Sequence, residues 1–275
     1  MSDPRTTAEA RSLLFVPGSR PDRFAKAAAS GADNLIIDLE DAVAPGSKEA
    51  ARTAAAQYLQ DQPAIVRINA ADTSWYAGDL AALAKTAQLA GVVLPKAASV
   101  DAVETLVEVL PHGTPVLLLI ESAVGLRDAH QLAGVTGVTR LMFGNLDFAL
   151  DAGITARSAE QSELLYARST LVVASRAVGL PGPVDGVYPD VSDPEGLHAA
   201  VSRTRDLGFT GVLCIHPTQI DVVHSALRPT EEELAWARQL LDVAGDADAD
   251  AVLVDGQMID TPRWELARRL VRAAD

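Results

Sequence analysis

Glu121 and Asp147 stand where two apolar runs stop. Val116 to Ile120 leads onto Glu121, and Leu141 to Phe143 leads through Gly-Asn-Leu onto Asp147. A buried strand that delivers an acid at its C-terminal end places a charge where a loop begins. If the two strands are parallel, both acids lie on one rim, within reach of a single divalent cation. Other polar residues sit at the ends of apolar runs in the same way: Arg20, Glu40, Asp41, Arg67, Asn69, Lys96, Ser122, Asp190 and His216. Several acids and a few bases around one mouth suit an oxygen-ligated Mg²⁺, with Mn²⁺ as the alternative ion, and a carboxylate-bearing substrate.

Each candidate also has a plainer reading. Glu121 and Asp147 could be helix N-caps or members of ion pairs. Arg67 alternates with Val66 and Ile68, so it points away from them; it is either an anion clamp or a bridge to Glu40 or Asp41. Lys96 after Pro95 invites Schiff-base chemistry, against which stands a simple pairing with a rim acid. His216 reads as a satisfied histidine behind the site, because no two histidines here have metal-site spacing. Asp246, Asp248 and Asp250 imitate a calcium loop but lack its Gly and Glu, and read as a solvated loop.

The elements that must position these residues follow from the alternation of apolar runs and helical stretches. Arg11–Gly18, Asn34–Glu40, Ala64–Asn69, Gly91–Lys96, Val116–Glu121, Leu141–Asp147, Val184–Pro189 and Gly211–Pro217 are eight strand candidates, nearly all followed by helical segments. Ala156 to Ala177 reads as one long helix. Eight βα units predict a closed (β/α)8 TIM barrel over residues 1–228. A doubly wound open sheet is disfavoured, since no G-x-G-x-x-G opens a helix after a strand. Residues 229–275 exceed what eight units need. They contain a helix from Thr230, an apolar patch, an Asp255-Gly256 turn and a final helix from Thr261, and predict a C-terminal helical extension that covers the site or packs on a neighbouring subunit.

Composition narrows the function class. The 275 residues are 48% hydrophobic, enough for a large core. No apolar run reaches membrane-spanning length and the first residues are polar, so a soluble, cytoplasmic protein without membrane association is expected. The single cysteine, Cys214, lies in an apolar run and reads as a buried hydrophobe, with a free nucleophile as the minor reading. A formal charge of −14 repels polyphosphates, so no nucleic-acid partner is expected and an anionic substrate needs locally placed Arg or Lys.

The segment LLFVPGSRPDRFAKAAASGADNLIIDLEDAVAPGSKEAAR, followed by VRIN, VVLPKA, LIESAVGL, FGNLDF, CIHPTQI and GQMID, resembles the citrate lyase β-subunit-like (CitE-like) proteins of the HpcH/HpaI aldolase superfamily over nearly the whole chain. The resemblance implies a Mg²⁺-dependent barrel that cleaves or forms carbon–carbon bonds in 3-hydroxyacyl-CoA thioesters such as citryl-, malyl- and citramalyl-CoA. It implies Glu121 and Asp147 as the metal ligands and Arg67 as a substrate contact. Glu40 and Asp41 would support the metal's water shell or the arginine, and Asp260 would be the acid/base residue, presented to a neighbouring subunit's site in a homo-oligomer such as a trimer or hexamer. Arg20, Lys96 and Asn69 join Arg67 as candidate substrate contacts for acyl-CoA and oxo acid. Gly144 to Asp147 read Gly-Asn-Leu-Asp where many relatives have Gly-Ala-Glu-Asp, which makes Asn145 and Leu146 the place to look for what sets the substrate. A CoA-independent 2-oxo acid aldolase and a citrate lyase complex subunit inactive alone are the alternative readings.

Overall fold

Eight parallel strands close on themselves in the computed structural model, which describes residues 6–155, 158, 160–244, 252–254 and 257–274. They are β1 (Ser12–Pro17), β2 (Asn34–Asp38), β3 (Ala64–Arg67), β4 (Leu89–Leu94), β5 (Val116–Ile120), β6 (Val138–Phe143), β7 (Val184–Asp185) and β8 (Gly211–Cys214). Each pairs in parallel with the next, and β1 pairs with β8 to complete the ring. Among the described residues, ten α-helices lie between these strands or directly follow β8: α1 (Phe24–Ala28), α2 (Lys48–Tyr58), α3 (Tyr76–Leu83), α4 (Val100–Val109), α5 (Ala123–Arg127), α6 (Ala129–Ala133), α7 (Asn145–Asp151), α8 (Leu165–Ala177), α9 (Pro194–Leu207) and α10 (Ile220–Ala226). This is the (β/α)8 barrel that the alternation of runs predicts.

One apolar cluster takes a residue from every strand: Leu13, Ile36, Ile65, Val93, Leu117 with Leu119, Met142, Val184 and Leu213. Side chains alternate along a strand, so the residue two places further on points inward as well and forms the next layer toward the C-terminal mouth. That layer is Asp38 after Ile36, Arg67 after Ile65, Glu121 after Leu119, Gly144 after Met142, Gly186 after Val184 and Ile215 after Leu213. A purely apolar barrel interior thus turns charged within one step.

Of the boundaries that differ from the sequence reading, two bear on the site or on helix length. The sixth strand stops at Phe143, and Asp147 lies in the first turn of α7 rather than at a strand end. The long helix expected from Ala156 begins only at Leu165, after a 3₁₀ turn at Ser162–Leu164. Gln161 just before it has φ 48°, a left-handed conformation that cannot continue a right-handed helix; residues 156, 157 and 159 lie outside the described residues.

The chain divides into two compact units, residues 1–224 and 225–275. The second contains α11 (Glu231–Ala244), the antiparallel pair β9 (Val252–Val254) and β10 (Gln257–Ile259), and α12 (Thr261–Ala274). Its own core joins Ala237 and Leu240 of α11 to Trp264 and Ala267 of α12, with Ile259. The Asp255-Gly256 turn and Asp246, Asp248 and Asp250 lie outside the described residues. No helix among the described residues is long and apolar enough to cross a membrane.

Candidate active site

The inward layer encloses a cavity of about 220 Å³ at the C-terminal mouth, the end of this architecture where loops leave the strands. Asp38, Asp41, Arg67, Glu121 and Asp147 give it a charged side, and Phe15, Leu119, Phe143, Val187 and Leu213 an apolar one.

Asp38 and Arg67 occupy paired positions of β2 and β3. Their side chains meet head-on: Nε donates to Oδ1 and Nη2 to Oδ2, each at 2.7 Å. The guanidinium lies 4.7 Å from the Phe15 ring centroid. Burial alone would favour the neutral base, but the hydrogen bonds and charge of Asp38, and then Glu40, raise the arginine's pKa, so it is a fixed cation. Asp38 was not among the residues expected at the site. The signal for it was present, since it stands two places beyond the inward Ile36 and directly across from Arg67.

Glu40 is buried and touches two cations. Oε1 accepts from Lys96 Nζ at 2.7 Å, and Oε2 lies 3.1 Å from Arg67 Nη1 without the alignment of a hydrogen bond, leaving that oxygen with no hydrogen-bond partner. Its pKa is raised, by burial first and against the pull of Arg67 and Lys96. The buried ammonium of Lys48 donates to the carbonyls of Leu39 and Glu40 at 2.8 Å each and fixes the turn that carries Glu40 and Asp41. Asp41 is exposed and 3.9 Å from Lys96 Nζ. Lys96 is therefore the partner of a rim acid, the plainer of its two readings, and it does not line the cavity. Its backbone has φ 52°, and in that left-handed conformation its N–H donates to Glu121 Oε1 at 2.7 Å.

Glu121 is 4% exposed. Burial, then the carboxylates of Glu40 and Asp147, push its pKa up to about 8, the mark of an acid cluster short of positive charge. A Cβ at position 144 would sit 2.5 Å from the Cβ and Oε2 of Glu121, so only glycine leaves that carboxylate its place. A Cβ at position 186 would sit 2.0 Å from Asn145 Oδ1. Asn145, whose Nδ2 donates to the Val187 carbonyl at 3.1 Å, anchors the start of α7 and with it the half-buried Asp147.

Other residues expected at the site are held elsewhere. Arg20 forms an exposed pair with Asp22, and Asn69 donates from its backbone and side chain to Asp79; neither lines the cavity. Ser122 caps α5, Asp190 accepts from Ser192, and His216 caps the turn at Pro217–Gln219. Cys214 is buried with its thiol pushed up to about 12 by burial, and is chemically inert there. Asp260 belongs to the second unit, where its carbonyl accepts from Arg263 and Trp264 at the head of α12.

Among the described residues no group of three His, Cys, Asp or Glu side chains is gathered as a metal cage. Two carboxylates lining a partly open pocket suit instead an ion that keeps water and substrate oxygens in its shell, as Mg²⁺ does.

Comparison with known proteins agrees with this fold. A family described as HpcH/HpaI aldolase/citrate lyase matches residues 11–217. A citrate lyase subunit beta-like protein of Mycobacterium tuberculosis is 40% identical over 270 residues, covering 95% of this chain and 94% of the relative. A (3S)-malyl-CoA thioesterase of Cereibacter sphaeroides is 32% identical over 273 residues, covering 96% and 94%. The crystal structure of CitE from Mycobacterium tuberculosis in complex with magnesium, acetoacetate and coenzyme A superposes with a TM-score of 0.86 at 39% identity, covering 97% of this chain and 98% of that one.

Proposed function

This chain belongs to the HpcH/HpaI aldolase/citrate lyase family, and from that premise we propose that it is a Mg²⁺-dependent carbon–carbon lyase. It cleaves, or in reverse forms, 3-hydroxyacyl-CoA thioesters of the citryl, malyl or citramalyl type, giving an acyl-CoA and an oxo acid. The observation that carries the reading is the meeting of Glu121, Asp147 and the Asp38-gripped Arg67 in one cavity at the barrel mouth. The family resemblance and the magnesium, acetoacetate and coenzyme A bound by the M. tuberculosis relative support it.

Glu121 and Asp147 would hold the ion, which would supply the charge that lowers the pKa of the substrate hydroxyl and the fixed point that orients the bond to be broken. Asp41, on the cavity wall, accepts the hydroxyl proton. The carbon–carbon bond breaks, and its electron pair goes to the α-carbon of the thioester while the former hydroxyl carbon becomes the oxo acid's carbonyl. Arg67 stabilises the negative charge that develops on the thioester oxygen. It is locked before the substrate arrives, so no reorganisation is spent at that moment. Glu40 and Lys96 hold the arginine and the Glu121 loop in register. Asp260, presented to a neighbouring subunit's site, delivers a proton to the enolate carbon.

A coupled assay tests the reading: malyl- or citramalyl-CoA should yield oxo acid and acyl-CoA only with Mg²⁺ present. Asp147→Ala should abolish this turnover while leaving the far-ultraviolet circular dichroism of the barrel unchanged. Cleavage of 4-hydroxy-2-oxo acids without a thioester would assign the CoA-independent aldolase instead, and release of free CoA without oxo acid would assign hydrolysis.

A further inference from the structure

We infer that Lys48, which does not line the cavity, is a positioning residue that aims the Asp41 carboxylate into it. The inference rests on the lyase reading for the role of Asp41 as proton acceptor, and deepens it by naming what holds that acceptor in place.

Asp41 has little of its own to hold it. Its side chain is 55% exposed, and the Lys96 ammonium is 3.9 Å away, too far for a hydrogen bond. Where the carboxylate points is therefore decided by the backbone on either side. The peptide unit that enters Asp41 carries the Glu40 carbonyl, which accepts from Lys48 Nζ at 2.8 Å and from the Val43 N–H at 3.0 Å. The unit before it carries the Leu39 carbonyl, which accepts from the same ammonium at 2.8 Å, and the Glu40 N–H, which donates to Asp38 Oδ1 at 2.9 Å. The unit that leaves Asp41 carries the Ala42 N–H, which donates to Asp38 Oδ2 at 2.9 Å. A cation grips the turn by its carbonyls and an anion grips it by its amides, with Asp41 between the two.

Lys48 stands where two effects oppose a positive charge. It is 6% exposed, and it is the first residue of α2, at the positive end of that helix. Burial lowers its pKa against the pull of Asp38, Glu40, Asp41 and Asp79, and the Trp75 ring centroid lies 5.1 Å from Nζ. An apolar side chain here would leave the Leu39 carbonyl with no hydrogen bond among the described residues and the Glu40 carbonyl with that of Val43 alone. Both peptide units ahead of Asp41 would then gain freedom to turn. A displacement of about 1 Å in a reacting group costs on the order of a hundredfold in rate, and the buried ammonium prevents it.

The test is a double-mutant cycle on the full-length protein, measured as cleavage of malyl- or citramalyl-CoA at saturating Mg²⁺. Lys48→Met should lower kcat roughly a hundredfold while KM stays within about threefold. In an Asp41→Asn background, where the proton acceptor is gone, the same substitution should cost less than about threefold in kcat, because the two residues act as one unit. An equal loss in both backgrounds makes Lys48 a general support of the fold and overturns the inference, as does full activity in a folded Lys48→Met protein. If Lys48→Met does not fold, Lys48→Gln, one bond shorter, takes its place in the cycle. If the unmodified protein cleaves no thioester, the lyase reading itself fails. In that case, or where the Asp41→Asn protein is too slow to measure, the crystal structure of the Lys48 variant decides: Asp41 turned out of the cavity upholds the inference, and an unchanged turn overturns it.

Discussion

Asp38 is the residue on which the charged half of the site hangs, because it fixes Arg67 through both oxygens at 1% side-chain exposure. Replacing it by asparagine removes the charge but not the shape. We expect Asp38→Asn to lose about 3 kcal/mol of stability, the usual cost of breaking a buried pair and leaving its partner undercompensated. It should also lower kcat/KM by roughly a hundredfold, since the arginine loses its fixed aim. Urea denaturation and steady-state kinetics read the two effects separately. Glu121 makes a second prediction at this scale. Its pKa is raised from 4.5 to about 8, so the metal-free folded protein holds a proton there that the unfolded chain has lost. Folded-state proton binding in excess means that this group's contribution to stability falls as pH rises between about 4.5 and 8. Mg²⁺ must displace that proton, so its affinity should rise roughly tenfold per pH unit below the raised pKa and level off above it. Isothermal titration with Mg²⁺ between pH 6 and pH 9 checks this, and a flat profile would count against Glu121 as a ligand.

The elements were largely legible as a sequence because every strand but β7 carries an apolar run of three or more residues, which is what burial on both faces of a parallel sheet requires. The boundaries were legible only where a residue type enforces them. Gln161 is an ordinary helix former, and nothing in its type announces the left-handed turn that delays α8 to Leu165. Asp147 was read as a strand end because Gly144 and Asn145 do not themselves say that a helix begins there; the close approach of Gly144 to Glu121 is a tertiary fact. The site was legible by residue type and partly wrong by direction. Arg67, Glu121 and Asp147 do converge on the cavity, while Arg20 and Asn69, equally polar and equally near strand ends, turn to Asp22 and Asp79. Asp38 was missed because an acid inside an apolar run was counted as strand, although the two-residue period from Ile36 aims it inward. The Gly144 contact gives the prediction at this scale. Gly144→Ala must push the Glu121 carboxylate aside, so Mg²⁺ affinity should fall tenfold or more in a protein that still folds and still shows the barrel's circular dichroism. Unchanged affinity would mean that Glu121 has room the geometry does not show.

At the scale of the molecule, stability and chemistry sit at opposite ends of the barrel. Arg140 is fully buried near the start of β6, where the charge of Asp33 reaches it but no carboxylate among the described residues pairs with it. Its guanidinium instead donates to the carbonyls of Gly182, Thr7 and Ala10 and to Thr210 Oγ1, at 2.6–3.3 Å. These groups precede β7, β1 and β8, so one side chain ties four staves together below the apolar cluster. Burial lowers its pKa to about 10, still high enough to keep it charged near neutrality, with backbone dipoles as its solvation. Arg140→Ala leaves those carbonyls unpaired and opens a cavity, and should cost about 3–5 kcal/mol. Because the apolar layer separates this knot from Glu121 and Asp147, the variant should bind Mg²⁺ with its original affinity wherever it remains folded. Asp147→Asn should behave oppositely, losing Mg²⁺ while keeping its unfolding midpoint in metal-free buffer. Measuring both quantities on both variants decides the matter: if Arg140→Ala loses Mg²⁺ affinity well below its melting transition, the two ends are coupled through the barrel wall and the division of labour between them fails.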